Sequence, residues 1–204
     1  MPIITIDGNI GSCKTSILNY FHKNYKTAID IEPIDSWTEY LKNMYNSHNS
    51  TYNFQIKVWI DRCWIQEKSN VIVLMERSPH FIKNVFVEKA YEDKTICTEE
   101  YDNIYKLHKT TDDLWQPSAY IYLRSDPDMC FNRIKKRGRE SEKNIKIEYI
   151  QRIHELHDKV YHNAIENNKN IIVIDTENKS IPDICSEIVS SSTYTEILNH
   201  LYNF

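Results

Sequence analysis

The chain has 204 residues, 41% of them apolar, and 25 Lys and Arg against 29 Asp and Glu give a net charge of −4. That composition excludes a disordered chain, the absence of an apolar run near twenty residues excludes a helical membrane span, and the acidic balance argues against general nucleic-acid binding. The five cysteines (13, 63, 97, 130, 185) form no C-x-x-C pair and the eight histidines no H-E-x-x-H, so free thiols and no structural zinc are expected.

In chain order, β-branched runs occur at 3–7, 27–31, 71–75, 119–123 and 170–175. They lack strict polar/apolar alternation, which suits strands buried on both faces. Helical spacing fills 14–23, 38–46, 53–68, 79–91, 99–114, 127–136 and 146–166. Strands alternating with helices imply right-handed crossovers. The expected fold is α/β, a five-stranded parallel sheet flanked by about eight helices, as one domain over 1–204. Ligands of such sheets bind beyond the carboxyl ends of the strands. The opening MPIITIDGNIGS has no basic n-region or apolar h-region, so the expected compartment is the cytoplasm.

Glycine is scarce. Average usage of about 7% would give roughly fourteen, but there are three, at 8, 11 and 138. Two fall in the segment Gly8-Asn9-Ile10-Gly11-Ser12-Cys13-Lys14-Thr15, which follows the first strand and opens a helix. This is the context of a G-x-x-x-x-G-K-[ST] phosphate loop. Its backbone N–H groups and helix dipole favour a phosphate, Lys14 reaches the β/γ oxygens and the Thr15 hydroxyl ligates Mg²⁺. Cys13 stands where the pattern has glycine, and its Cβ is expected to strain the loop or crowd the phosphate.

The second strand ends in Glu32-Pro33, the third in Glu76-Arg77-Ser78. Glu32 at a strand tip can accept a proton from an attacking hydroxyl, although alone it reads more simply as a surface acid before a turn. Glu76 can hold Mg²⁺ and Arg77 the reacting oxygens. The fourth strand leads to a helix with Arg133 and Arg137 on one face, broken by Gly138 and followed by Arg139. Three guanidiniums there can clamp ATP phosphates and stabilise charge in a transition state.

Together these segments resemble the deoxynucleoside kinase family, P-loop kinases that phosphorylate the 5′-hydroxyl of deoxynucleosides. The likeness runs from Ile3 to about Asn163. GNIGSCKT is similar to the family's phosphate loop, and EPIDSW (32–37) to its E-P-V-x-x-W segment, which implies Glu32 as general base and Trp37 at the substrate. MYNSHNSTYNFQIKVWIDR (44–62) is similar to the nucleoside-binding stretch. By that likeness Tyr45 touches the sugar 3′-hydroxyl, Phe54 lines the pocket and Gln55 pairs with the base edge. MERSPHFIKNVF (75–86) carries the E-R-S motif, with Phe86 stacking on the base. The segment 133–145 resembles the arginine-rich lid, with Glu142 placed for the 3′-hydroxyl. Read without the family, Trp37, Phe54 and Phe86 are core aromatics and Tyr45 and Gln55 solvated helix residues.

The resemblance implies ATP and Mg²⁺, a deoxynucleoside substrate and a homodimer. Family members that accept deoxycytidine and purines pair an Asp, six residues after the E-R-S glutamate, with an Arg seven after the Gln. Here Arg62 is present but Ile82 replaces the Asp, which favours a pyrimidine and leaves Arg62 in need of another partner. Two other readings stand beside this one. One is a thymidylate-type nucleoside monophosphate kinase. The other is a nucleotide-binding protein impaired by Cys13.

Overall fold

The apolar run at the amino end forms strand β1 (Ile3–Gly8), buried at all six positions, and the sheet extends from it in both directions. The computed structural model describes residues 3–46, 50–63, 71–112 and 117–202. Strands β2 (Ala28–Asp30), β3 (Val73–Glu76), β4 (Ala119–Arg124) and β5 (Ile171–Asp175) complete a five-stranded parallel sheet in the order β2-β3-β1-β4-β5. The chain therefore leaves β1 toward one edge and returns to build the other. That reversal opens a crevice at the carboxyl end of β1.

The helices are α1 (Lys14–Tyr25), α2 (Ile34–Asn46), α3 (Thr51–Cys63), α4 (79–92), α5 (Thr98–Asp112), α6 (Pro127–Arg137), α7 (Ile147–Glu166), α8 (Ile181–Ser190) and α9 (Ser192–Tyr202). Within α4 the turns over Ile82–Val87 are π-helical, an irregularity common at functional sites. The two faces of the sheet carry separate cores. Ile4, Ile6, Ile121 and Leu123 pack with Ile17, Leu18 and Phe21 of α1 and Ile184 and Ile188 of α8. On the other face Tyr120 packs with Phe81 and Val85 of α4 and Ile153, Leu156 and Val160 of α7. Among the described residues no helix is long and apolar enough to cross a membrane.

All five expected strands form within one or two residues of their predicted ends. Helix α2 begins four residues earlier than its periodicity suggests, immediately after Pro33, whose carbonyl accepts from the Ser36 amide. The predicted helices 53–68 and 99–114 run partly into 64–70 and 113–116, outside the described residues. Helices α8 and α9 lie beyond the predicted elements. The start of α8 is set by a capping box: Ser180 Oγ accepts from the Asp183 amide and Asp183 accepts from the Ser180 amide, with a proline in the first turn.

Two glycines are required for different reasons. Gly11 has φ +82°, and a Cβ there would lie 2.6 Å from the Cys130 carbonyl oxygen. Gly138 ends α6 at φ +67°, its amide donating to Ile134 O at 3.1 Å, but its nearest Cβ neighbour would be 4.0 Å away. Gly138→Ala should therefore carry only the left-handed backbone cost, about 1–2 kcal/mol. Gly11→Ala adds a backbone clash and should lose about 2–5 kcal/mol in all. Urea unfolding of the two variants checks the order, and equal losses would contradict it.

Candidate active site

The loop between β1 and α1 closes over the sheet's switch point. Asn9, almost fully buried, donates from its carboxamide to Ile150 O of α7 at 2.9 Å and accepts from the Ile10 amide at 2.8 Å. It is a strut joining the loop to α7. The first amides of α1 have no intrahelical acceptors, so the loop presents N–H groups as a phosphate cradle requires. Lys14 Nζ lies against the Gly8 and Asn9 carbonyls at 3.2 and 2.9 Å. Burial, reinforced by the nearby Arg77 guanidinium, brings its pKa down to about 8.

Cys13 caps the amino end of α1 at φ 68° and ψ 16° without a side-chain hydrogen bond. This left-handed conformation is the physical reason the loop pattern has glycine here. The thiol is free and half-buried, and Cys13 lines the cavity.

Below the loop, carboxylates and cations interlock. Arg77 Nε donates to Glu32 Oε1 at 2.7 Å, its Nη1 donates to Gly8 O at 3.2 Å, and its guanidinium lies 4.4 Å from the Phe86 ring centre. Burial alone would raise the Glu32 pKa, but the charges of Arg77 and Lys14 prevail and hold it below the ordinary carboxylate range. Glu76 behaves oppositely: burial and the neighbouring Glu32 charge push it up. Its carboxylate accepts from Thr15 Oγ1 at 2.9 and 3.1 Å.

Hard oxygen donors around a carboxylate raised by a like charge fit Mg²⁺. Among the described residues no group of three or more His, Cys, Asp or Glu side chains forms a metal cage. Thr15 and Glu76 would thus share the ion with ligand oxygens, as Mg²⁺ usually does beside phosphates.

One cavity of about 840 Å³ joins this cluster to an aromatic pocket, a size suited to small-molecule ligands. Its wall includes Glu32, Trp37, Phe54, Gln55, Ile82 and Phe86. Trp37 meets Phe54 edge-on at 6.0 Å, and its indole N–H is tied to Asp61 at 2.7 Å. Gln55 is only 5% exposed, and its amide forms no hydrogen bond among the described residues. Ile82 packs with Trp37 and Val58.

The arginines of α6 close the other side. Asp126 accepts from the Met129 amide and Pro127 opens the helix, which fixes its start. Arg133 Nη1 donates to Gly11 O at 3.3 Å. Arg137 forks onto Glu142 at 2.7 and 2.6 Å, with Arg139 3.5 Å from the same carboxylate. All four side chains line the cavity.

Gly8, Asn9 and Ser12 are buried beneath the loop and do not form the cavity wall. Arg62, which the family likeness puts at the substrate, is engaged elsewhere in this structure. It is tied to Asp30 by two 3.1 Å bonds and does not line the cavity. With Ile82 standing in place of an Asp, Arg62 takes the acid at the end of β2 as its counter-ion instead. The Tyr45 side chain lies outside the described residues. Tyr149 of α7, not anticipated, also lines the cavity. In sequence it continues the stripe of Ile153, Leu156 and Val160, so nothing there marks it as more than core.

Comparison with known proteins agrees with this geometry. The deoxynucleoside kinase family profile matches residues 4–199. Thymidine kinase 2, mitochondrial, from Homo sapiens is 31% identical over 172 residues, covering 76% of this chain and 63% of that protein. The chain thus spans less than two thirds of that relative's length. Putative kinase protein 143R of Invertebrate iridescent virus 6 is 32% identical over 74% of this chain and 77% of its own. Probable deoxycytidine kinase FPV151 of Fowlpox virus (strain NVSL) is 27% identical over 98% of this chain and 87% of its own. Because the profile takes in every residue on the cavity wall, from Ile10 to Tyr149, the chain belongs to the deoxynucleoside kinase family.

Proposed function

We propose that this chain transfers the γ-phosphoryl group of MgATP to the 5′-hydroxyl of a deoxynucleoside, with pyrimidines preferred. The observation that carries the reading is Glu32: a carboxylate held deprotonated by Arg77, in one cavity with the phosphate loop and with the uncommitted amide of Gln55. As the 5′-oxygen bonds to the γ-phosphorus, its proton passes to Glu32 and the bond from the γ-phosphorus to the bridging oxygen breaks toward ADP. Lys14, Arg77 and the lid arginines over 133–145 neutralise charge on the transferring group. Thr15 and Glu76 would hold the Mg²⁺, which would supply charge neutralisation for the phosphoryl group in transfer.

Gln55 offers a donor and an acceptor side by side for a base edge, in a wall that also holds Phe54 and Phe86. The apolar Ile82 on the cavity wall supports a pyrimidine. An apolar side chain there cannot satisfy a base amino group, and it favours a methylated pyrimidine over a more polar base. The name of the human relative, a thymidine kinase, points the same way. Glu142 meets the sugar 3′-hydroxyl, and the protein acts as a homodimer in the cytoplasm.

The reading is tested by ATP-dependent phosphorylation of thymidine, deoxycytidine, deoxyadenosine, deoxyguanosine and thymidine monophosphate, with thymidine expected first and deoxycytidine second. Turnover of the monophosphate alone would transfer the chain to the nucleotide kinases. Glu32→Gln should lower kcat by about 10²–10⁴ while nucleoside KM changes little, and equal losses in both would remove Glu32 as base.

Cys13→Gly relieves about 1–2 kcal/mol of left-handed strain and should lower the KM for ATP. An unchanged KM would show that the Cys13 side chain does not hinder the phosphate. Silence from both this variant and the wild type would sink the kinase reading.

A further inference from the structure

Asp7 sits on β1 one residue before the phosphate loop, 0% exposed, on the sheet face that carries α4 and α7. Its carboxylate is held by neutral donors: Oδ1 accepts from the Ser78 amide at 2.8 Å and the Ser78 hydroxyl at 3.1 Å, and Oδ2 accepts from Thr5 Oγ1 at 2.8 Å. Burial pushes its pKa up to about 6 despite these bonds and the nearby Arg77 charge. In the folded chain Asp7 keeps its proton to a higher pH than in the unfolded chain. Stability therefore falls as pH rises from about 4 to about 6, as ionisation of Asp7 is less favourable in the folded chain than in the unfolded one. Its titration alone does not account for its place here.

What it touches does. Ser78 follows Arg77, which has φ +66° although it is not glycine, a conformation that persists only where its surroundings impose it. The Arg77 amide continues the β1–β3 ladder to Ile6 O at 2.9 Å, so the backbone is held on the near side of the turn. On the far side the holding group is Asp7, which fixes the peptide plane between Arg77 and Ser78. The same Ser78 hydroxyl accepts from the Phe81 amide and caps α4. Asp7 thus ties β1, the Arg77 turn and the start of α4 together. The direction taken by the Arg77 side chain, toward Glu32 and Gly8 O, follows from that turn.

We propose that Asp7 is a positioning residue: by holding Ser78 it keeps Arg77 in the left-handed turn that directs its guanidinium between Glu32 and the phosphate loop. The consequence for turnover rests on the kinase reading above, whereas the consequence for the Arg77 side chain does not.

Asp7→Ala removes the acceptor. Asp7→Asn keeps an oxygen for Ser78 and turns its NH₂ toward the Thr5 hydroxyl, which can accept. For Asp7→Ala we expect kcat to fall about tenfold to a hundredfold, with both KM values within about threefold, as for a misplaced reacting group. Asp7→Asn should restore kcat to within about threefold and melt no lower than wild type at pH 7.5. A second readout is the Arg77 Nε–H resonance in ¹⁵N-arginine-labelled protein, assigned by its absence in Arg77→Lys. It should be protected from exchange in wild type and Asp7→Asn, and lost to exchange in Asp7→Ala.

If Asp7→Ala does not fold, Asp7→Ser is read in the same way, since its hydroxyl is too short to reach the Ser78 amide. An Arg77 resonance that stays protected in Asp7→Ala overturns the proposal, whatever happens to kcat. If the resonance is lost in Asp7→Ala but Arg77→Lys retains full kcat, the positioning stands and the catalytic part given to Arg77 falls.

Discussion

The ion pair between Glu32 and Arg77 joins the ends of β2 and β3 under the phosphate loop, and the geometry of the site is arranged around it. Its partners are 10% and 7% exposed, so both charges have largely left water. Such a pair is tolerated when the remaining polar atoms also find partners, and removing one member typically costs about 3–5 kcal/mol. Here Arg77 also donates to Gly8 O and lies over Phe86. One guanidinium therefore fixes the distance between the acid on β2, the loop after β1 and the aromatic wall on α4. It also keeps Glu32 ionised, the protonation state in which a carboxylate can accept a proton.

The phosphate loop shows which of its residues backbone sterics dictate. At Gly8 and Gly11 an added Cβ would come within 2.7 Å of Leu123 O and 2.6 Å of Cys130 O. No rotamer relieves a contact made by Cβ itself. At Cys13 the left-handed torsion is present, but its cost is that of a strained single residue, about 1–2 kcal/mol. Within the phosphate loop, glycine stands where atoms would overlap and is absent where only a torsion suffers. The cost of Cys13 falls on a loop already braced by Asn9 against α7 and by Arg133 against Gly11 O.

The polar groups of the cavity are engaged with one another. Lys14 lies on loop carbonyls, Thr15 on Glu76, and Arg137 and Arg139 on Glu142. Buried or half-buried donors and acceptors require such partners. Gln55, whose amide bonds no described residue, marks by contrast the part of the wall with hydrogen-bonding capacity left over.

Much of this was legible in the residues. Five apolar runs alternating with helical periods specify a parallel α/β sheet, because strands buried on both faces and amphipathic crossovers have few other ways to satisfy their backbones. The spacing of Gly8, Gly11, Lys14 and Thr15 specifies the phosphate loop, since a short loop brings its own residues together whatever the rest of the chain does. Contacts across the sheet order are another matter. Asp30 as the counter-ion of Arg62 and Asp7 beneath Ser78 join residues 32 and 71 positions apart, and Tyr149 shares the cavity wall with Ile10, 139 positions before it. No local period or propensity encodes such pairs. They arise when the reversal at β1 sets β3 beside it, folds α7 over the loop and leaves each buried charge to the nearest group able to satisfy it.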